Sequence, residues 1–288
     1  MSFFKKLFGK QNENKNSSRE INLTPEQFFS TDFIKSVIDK YKRSTILLRP
    51  HKSQISIGQH ESKFGGIPAF SGFDIYPCCD MCKAPLNFVL QLYKKDFPTF
   101  YFPGSANLFQ LFRCPNNDCP AAYSEQYDHK MFHYYLTAAT DNKILAKPSH
   151  NLPDAENEIP DCYLKPQVTD DFPNFDDFEG NDFVNIEEQF GNDLTELFME
   201  KYSAIPNSKL GGYPSFTQSP EYPTCGCGKT KEFLFQLSSE DPEDGVEKPP
   251  PPDKWSPHGI MIGDVGNIYF YVCRSCGQQT IESYWDCS

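Results

Sequence analysis

The stretch Ser62-Lys63-Phe64-Gly65-Gly66-Ile67-Pro68-Ala69-Phe70 returns 146 residues later as Ser208-Lys209-Leu210-Gly211-Gly212-Tyr213-Pro214-Ser215-Phe216. The echo runs on. Tyr76-Pro77 recurs as Tyr222-Pro223, and a cysteine pair follows each copy, Cys79-Asp80-Met81-Cys82 and Cys225-Gly226-Cys227. The second pair is one residue shorter, after which the offset is 145: Phe88 matches Phe233, and Gln91-Leu92 matches Gln236-Leu237. Each copy later presents a second pair, Cys114/Cys119 and Cys273/Cys276. The chain therefore reads as an internal duplication whose halves each carry four cysteines.

Cys-x-x-Cys places two thiolates on one tight knuckle, and two knuckles joined by strand pairing complete a tetrahedron. The expected metal ligands are Cys79, Cys82, Cys114 and Cys119 in the first half and Cys225, Cys227, Cys273 and Cys276 in the second. The duplication selects Cys79 over its neighbour Cys78, because Cys79 aligns with Cys225. Cys78, Cys162 and Cys287 are left over from the 11 cysteines. An all-sulfur tetrahedron selects zinc, with iron the main competitor. Four sulfur ligands also close the coordination sphere, which makes both sites structural rather than catalytic.

The Gly-Gly pairs do not form a phosphate loop. That motif needs Lys-Ser or Lys-Thr after the glycines and a helix to receive the phosphate, whereas here the lysine comes first and proline keeps the chain extended. The pattern predicts a tight turn with φ > 0, and nothing nearby gives Lys63 or Lys209 a ligand to bind.

At 288 residues with 15 % aromatics, including 26 Phe and 15 Tyr, the chain can bury a sizeable core and is suited to strand-rich packing. The expected fold is α+β, mainly antiparallel β, built as two β-rich halves that share an interface. Thr24-Pro25-Glu26-Gln27 is a helix start. Phe29, Phe33, Val37 and Tyr41, widened by Ile34 and Ile38, carry that helix to about Lys42. A second helix is expected over 193–202. Strands are expected over 44–48, 54–57, 87–93, 108–113, 132–137, 232–237 and 268–272. The organisation read from these signals is a flexible tail over 1–20, a first repeat over 21–150, an acidic connecting segment over 151–192 and a second repeat over 193–288. The run Pro249 to Pro252 belongs to a polyproline-like loop over 240–257.

The net charge is −12, and residues 154–200 hold 15 Asp and Glu against the single Lys165. Those acids alternate with Phe172, Phe175, Phe178, Phe183, Phe190 and Phe198, an acidic-aromatic pattern suited to a basic, partly apolar protein partner. The same field opposes nucleic acid. No apolar run is long enough for a membrane span. The first ten residues lack the features of a secretory signal, so a reducing, cytoplasmic setting is expected, where cysteines ligate metal rather than pair. His129 and His133 are four residues apart on an expected strand, too far apart to share a metal. No Ser-His-Asp or Cys-His constellation is legible.

The segment from Cys79 through Pro85, Leu86, Phe88, Gln91 and Tyr93 follows the Gly-Gly-x-Pro turn and precedes Leu111-Phe112-Arg113-Cys114. It resembles the programmed-cell-death 2 family. The second half, with Pro214, Tyr222-Pro223, Phe235-Gln236-Leu237, Gly263-Asp264-Val265-Gly266 and Ile268-Tyr269-Phe270, also resembles the YwqG-like domain family, whose function is largely unassigned. The likeness covers about residues 62–119 and 208–285. The MYND-type finger of animal members is absent, since only Cys162 lies between Cys119 and Cys225. The closed sulfur sites and the acidic-aromatic segment point to a non-enzymatic, zinc-stabilised binding module for a basic protein client, and the resemblance implies a chaperone or sequestering role toward a ribosomal-protein-like chain. Two alternatives stand beside it: an immunity-type protein neutralising a basic toxin, and an enzyme with its site in the cleft between the halves.

Overall fold

A computed structural model of the chain describes residues 23–123, 130–139, 143–149, 158–243, 256–275 and 281–287. The tail over 1–20, His129, Cys276 and Pro249 to Pro252 lie outside the described residues. The fold is mainly antiparallel β, as expected: two six-stranded sheets with a layer of helices. One sheet has the order β2(Pro50–Lys52), β7(Cys162–Leu164), β3(Lys63–Phe64), β4(Asn87–Tyr93), β5(Leu108–Arg113), β6(Phe132–Thr137). The other has the order β8(Gln167–Asp171), β1(Arg43–Leu47), β9(Lys209–Gly211), β10(Glu232–Ser238), β11(Asn267–Val272), β12(Ile281–Asp286).

The strands expected over 87–93, 108–113 and 132–137 match β4, β5 and β6. Those over 44–48, 232–237 and 268–272 match β1, β10 and β11 within a residue. The strand expected over 54–57 is absent, because the chain has already used Pro50–Lys52 as β2 and turns away after it.

The single N-terminal helix is two helices, α1(Pro25–Ser30) and α2(Asp32–Tyr41). Thr31 separates them. Its ψ of 144° is extended, it closes α1 through its N–H to Phe28 O, and its Oγ1 accepts from Ile34 N at 3.4 Å as the cap of α2. A short polar residue able to cap both ends costs the helix little to break. The break makes Phe28, not Phe29, the fully buried residue of α1. The helix expected over 193–202 is α4(Asn192–Lys201), preceded by α3(Asp182–Phe190).

The duplication is visible bond by bond. Gln91 Oε1 accepts from Ala69 N at 3.1 Å, and its Nε2 donates to Gln59 O and Glu61 O, each at 2.7 Å. Gln236 Oε1 accepts from Ser215 N at 2.9 Å, and its Nε2 donates to Ile205 O at 3.3 Å and Asn207 O at 2.9 Å. Both amides are wholly buried, so each clamp satisfies groups that burial would otherwise penalise. Even the bulge is repeated, between Phe88 and Leu90 in β4 and between Phe233 and Phe235 in β10.

The Gly-Gly turns have φ of +60° and +67° at Gly65 and Gly66, and +69° and +76° at Gly211 and Gly212. Space matters as much as angle. A Cβ on Gly66 would lie 1.9 Å from Asp161 Oδ1, and one on Gly212 would lie 2.3 Å from Asp171 Oδ2. Each carboxylate reaches through that gap to a buried lysine: Lys63 Nζ to Asp161 at 3.3 Å and Lys209 Nζ to Asp171 at 2.7 Å. The two lysines are thus internal pairs. Burial outweighs the Asp171 carboxylate and lowers Lys209 from 10.5 to about 8. Across that window the unfolded chain holds a proton that the folded chain has released, so this group makes stability rise with pH. Lys209→Met is expected to flatten that rise, read as urea midpoints of both proteins at about pH 7.5 and about pH 9.5.

One ribbon joins the sheets. Residues 43–47 pair with 167–171 in the second sheet, and 50–52 pair with 162–164 in the first, in a single unbroken register. Lys165 N donates to Arg49 O at 3.1 Å across the change of sheet. The first strand of the chain is therefore hydrogen-bonded into the sheet of the second half, and the connecting segment supplies a strand to each. The sheets share one core, in which Phe109 and Phe100 meet Phe235 with ring centroids 5.3 and 5.8 Å apart.

Candidate metal centres

In the first half, Cys79 opens a knuckle. Its N–H donates to Ala84 O at 2.8 Å, and Lys83 N donates back to Cys79 O at 3.0 Å. Lys83 adopts φ of +60° to close it. The second half repeats the arrangement: Cys225 N to Lys229 O at 2.8 Å, Gly228 N to Cys225 O at 2.8 Å, with Gly228 at φ of +82°. Glycine accommodates that conformation without the strain lysine bears.

The sulfurs of Cys79, Cys82, Cys114 and Cys119 all lie within 4.8 Å of one another. Cys79 Sγ is 3.7 Å from Cys119 Sγ, and Cys82 Sγ is 3.5 Å from Cys114 Sγ. A tetrahedron with metal–sulfur bonds of about 2.3 Å has edges of about 3.8 Å, whereas a disulfide is about 2.05 Å. The spacing fits four ligands around one ion and no disulfide. Cys78 points away, its Sγ donating to Tyr76 O at 3.5 Å, as the alignment with Cys225 requires.

In the second half, Cys225, Cys227 and Cys273 form the matching group, with Cys227 and Cys273 sulfurs 3.7 Å apart. Cys225 and Cys273 are buried and Cys227 is exposed. Both groups can hold a metal ion.

The protonation of the first group points the same way. Burial pushes the Cys114 and Cys119 thiols up. Burial also raises Cys82, but the Ala84 N–H and the neighbouring cysteines outweigh it and bring Cys82 down to about 7. Four close sulfurs cannot all ionise without a cation among them. Backbone N–H groups are placed to receive the charge, among them Ala121 N, 3.4 Å from Cys119 Sγ.

Among the described residues, the other cysteines take no part. Cys162 is buried on β7 with its Sγ toward Pro160 O, and Cys287 is partly exposed. His133 sits on β6, where burial lowers it against the pull of Asp80.

Sequence reading missed Asp241, His258 and Ser256. His258 Nε2 lies 3.3 Å from Asp241 Oδ2, and Ser256 Oγ lies 3.2 Å from His258 Nδ1. The spacing imitates a hydrolytic triad. However, Nδ1 already accepts the Ile260 N–H at 3.1 Å, and Ser256 Oγ accepts the Gly259 N–H at 3.2 Å. The ring has one lone pair, spent on the backbone, and it stacks on Phe64 of the other sheet at 4.8 Å. The group fixes a loop across the interface. Ser-x-His two residues apart is the signal that could have found it.

The acidic segment is also different from its sequence reading. Phe172 and Phe198 are buried, and Phe178 and Phe190 pack partly buried among α1, α2, α3 and α4. Most of these rings form the core of the helical layer, and Phe175 is the large exposed one, at 41 %. Asp171, expected on that surface, is wholly buried. What remains exposed is a groove of about 350 Å³ lined by Phe175, Phe178, Met199 and Tyr202, with Glu196 and Glu200 beside them. Among the described residues, no helix is long and apolar enough to cross a membrane.

A family model described as a domain of unknown function, DUF1963, matches residues 62–276. The chain is also 37 % identical over 78 residues to the uncharacterized protein YpfL of Salmonella typhimurium (strain LT2). That stretch is 27 % of this chain and 14 % of the relative.

Proposed function

This chain belongs to the DUF1963 family of domains of unknown function, and on that premise we propose that it is a metal-stabilised protein-binding module whose client is basic and partly apolar. The observation that carries the reading is the groove on the helical layer. Phe175, Phe178, Met199 and Tyr202 give it an apolar lining that can take aliphatic side chains. Glu196 and Glu200 are one helical turn apart on α4, exposed, and without an ion-pair partner among the described residues. Like charges at that spacing repel by about 0.2–0.5 kcal/mol, and a Lys or Arg set between them relieves the repulsion. The surrounding segment is rich in acid, which steers a cationic partner toward the groove.

In this reading the metal is zinc in both centres, held by Cys79, Cys82, Cys114 and Cys119, and by Cys225, Cys227 and Cys273 with Cys276. Its role is to fix the knuckles, since a closed sulfur shell leaves no position for water or substrate. The resemblance of the first repeat to the programmed-cell-death 2 family gives the client a class, a ribosomal-protein-like chain. The immunity-type alternative differs only in what the basic client is.

The test is a pull-down read by mass spectrometry with the wild-type chain and Glu196→Lys/Glu200→Lys. Basic proteins, released by salt, are expected with the wild type and about tenfold depleted with the variant. Identical partner sets from both would overturn the reading.

A further inference from the structure

The duplication carries a pocket as well as a metal group. Gly66, Pro68, Tyr76 and Phe88 line a cavity of about 290 Å³ in the first half. Their counterparts Gly212, Pro214, Tyr222 and Phe233 line one of about 430 Å³ in the second. The frame is the same, but the charges are used differently. In the first pocket Lys147 Nζ bonds to Glu158 Oε1 at 2.9 Å and Asn87 Oδ1 at 2.6 Å, so its charges neutralise each other.

In the second pocket Arg43 and Asp177 both face the cavity without bonding each other. Neither has an ion-pair partner among the described residues. Arg43 lies over the Tyr213 ring at 4.1 Å, and Asp177 receives only the Tyr222 hydroxyl as a side-chain donor, at 3.0 Å to Oδ2. The other charged side chains of the lining are engaged, Lys231 with Glu282 and Glu232 with Arg274 at 3.2 Å.

We propose that this second pocket binds an amine–carboxylate zwitterion, an α-amino acid or short peptide with an apolar side chain. Arg43 takes its carboxylate, Asp177 its ammonium, and the rings of Tyr213, Tyr222 and Phe233 take its side chain.

The chemistry selects this class. A guanidinium already set by stacking presents its fork to a carboxylate at small entropic cost. A partly buried carboxylate with a free oxygen takes an ammonium, and aromatic faces beside it add cation–π attraction. A simple anion in the cavity would be repelled by Asp177, and a simple cation by Arg43. Only a ligand carrying both charges satisfies both residues. The volume lies within the range of about 300–1,000 Å³ usual for small-molecule sites. The site is separate from the client groove, since neither Glu196 nor Glu200 lines it.

Titration calorimetry of the full chain tests the proposal with L-phenylalanine, glycyl-L-phenylalanine, L-phenylalanine amide and N-acetyl-L-phenylalanine. The amide and N-acetyl form of the dipeptide complete the set, so that each zwitterion has both capped counterparts. At least one of the two zwitterions is expected to bind, and its own amide and N-acetyl form to bind about tenfold more weakly or worse. Tighter binding of the dipeptide assigns a peptide ligand; tighter binding of the amino acid assigns a free amino acid. Arg43→Gln is expected to erase the preference for acid over amide, and Asp177→Asn the preference for free over acetylated amine. Unchanged melting of both variants shows that the fold is kept. No heat from either zwitterion, equal affinity for the capped forms, or variants that keep both preferences would overturn the assignment.

Discussion

Cys79→Ser or Cys114→Ser is expected to abolish the native fold of the first half. Each removes one of four sulfurs that all lie within 4.8 Å of one another, with Cys79 and Cys119 3.7 Å apart and Cys82 and Cys114 3.5 Å apart. Structural zinc can contribute about 10–16 kcal/mol of apparent binding energy, against a net domain stability of about 5–15 kcal/mol. The centre also ties β4 and β5 to the knuckle that precedes them, because Cys79 and Cys82 lie before β4 and Cys114 follows β5. A strong chelator under reducing conditions should have the same effect on the wild-type protein. Elemental analysis, far-UV circular dichroism and thermal melting read the result together. Unchanged dichroism and melting after confirmed metal loss would refute the structural role. Cys78→Ser is the control: its sulfur only donates weakly to a carbonyl, so it should melt with the wild type.

The second large effect is expected at Asp171. Its carboxylate is wholly buried and accepts three bonds: from Lys209 Nζ at 2.7 Å, Tyr213 N at 2.8 Å and Ile205 N at 2.9 Å. Asp171→Ala leaves a buried ammonium unpaired and takes the acceptor from the buried Tyr213 N–H and the partly buried Ile205 N–H. Breaking a buried pair costs about 3–5 kcal/mol. In a chain of this size that corresponds to a fall in melting temperature of roughly 10 °C. Lys209→Met should cost less, because the carboxylate keeps both backbone donors. The double variant should recover only part of the loss, because removing the lysine relieves the unpaired charge but not the two N–H groups. Urea unfolding of the three variants measures this ordering, and full recovery in the double variant would show that the ion pair alone matters.

The parts of the chain were unequally legible in the sequence, for physical reasons. The knuckles were readable because their ligands are close in sequence and their chemistry allows few residue types. The duplication supplied the pairing, down to the choice of Cys79 over Cys78. The central strands were readable because burial on both faces gives nearly continuous apolar runs such as Phe88-Val89-Leu90 with Leu92, broken only by the clamp residue Gln91. The strands β7 and β8 were not, since Cys162–Leu164 is too short for a period and Gln167–Asp171 is polar and sits at a sheet edge. Asp161 and Asp171 were hidden for a related reason. Each aspartate is one acid among the 15 of residues 154–200, and only its distant partner at the glycine turn reveals what it does. The phenylalanines of the acidic segment misled because their periodicity fits a surface stripe and a helical core equally well.

The shared ribbon bears on how the molecule can be made and divided. During synthesis β1 emerges early, yet its partners β8 and β9 follow only after the whole first repeat. Until β7 arrives, the edge of β3 stays open, the kind of edge on which chains aggregate. A gene cut between the repeats, at residue 150 for instance, yields one fragment lacking β7 and another lacking β1. Neither fragment is a finished domain, and only co-expression of both offers each sheet its missing strand.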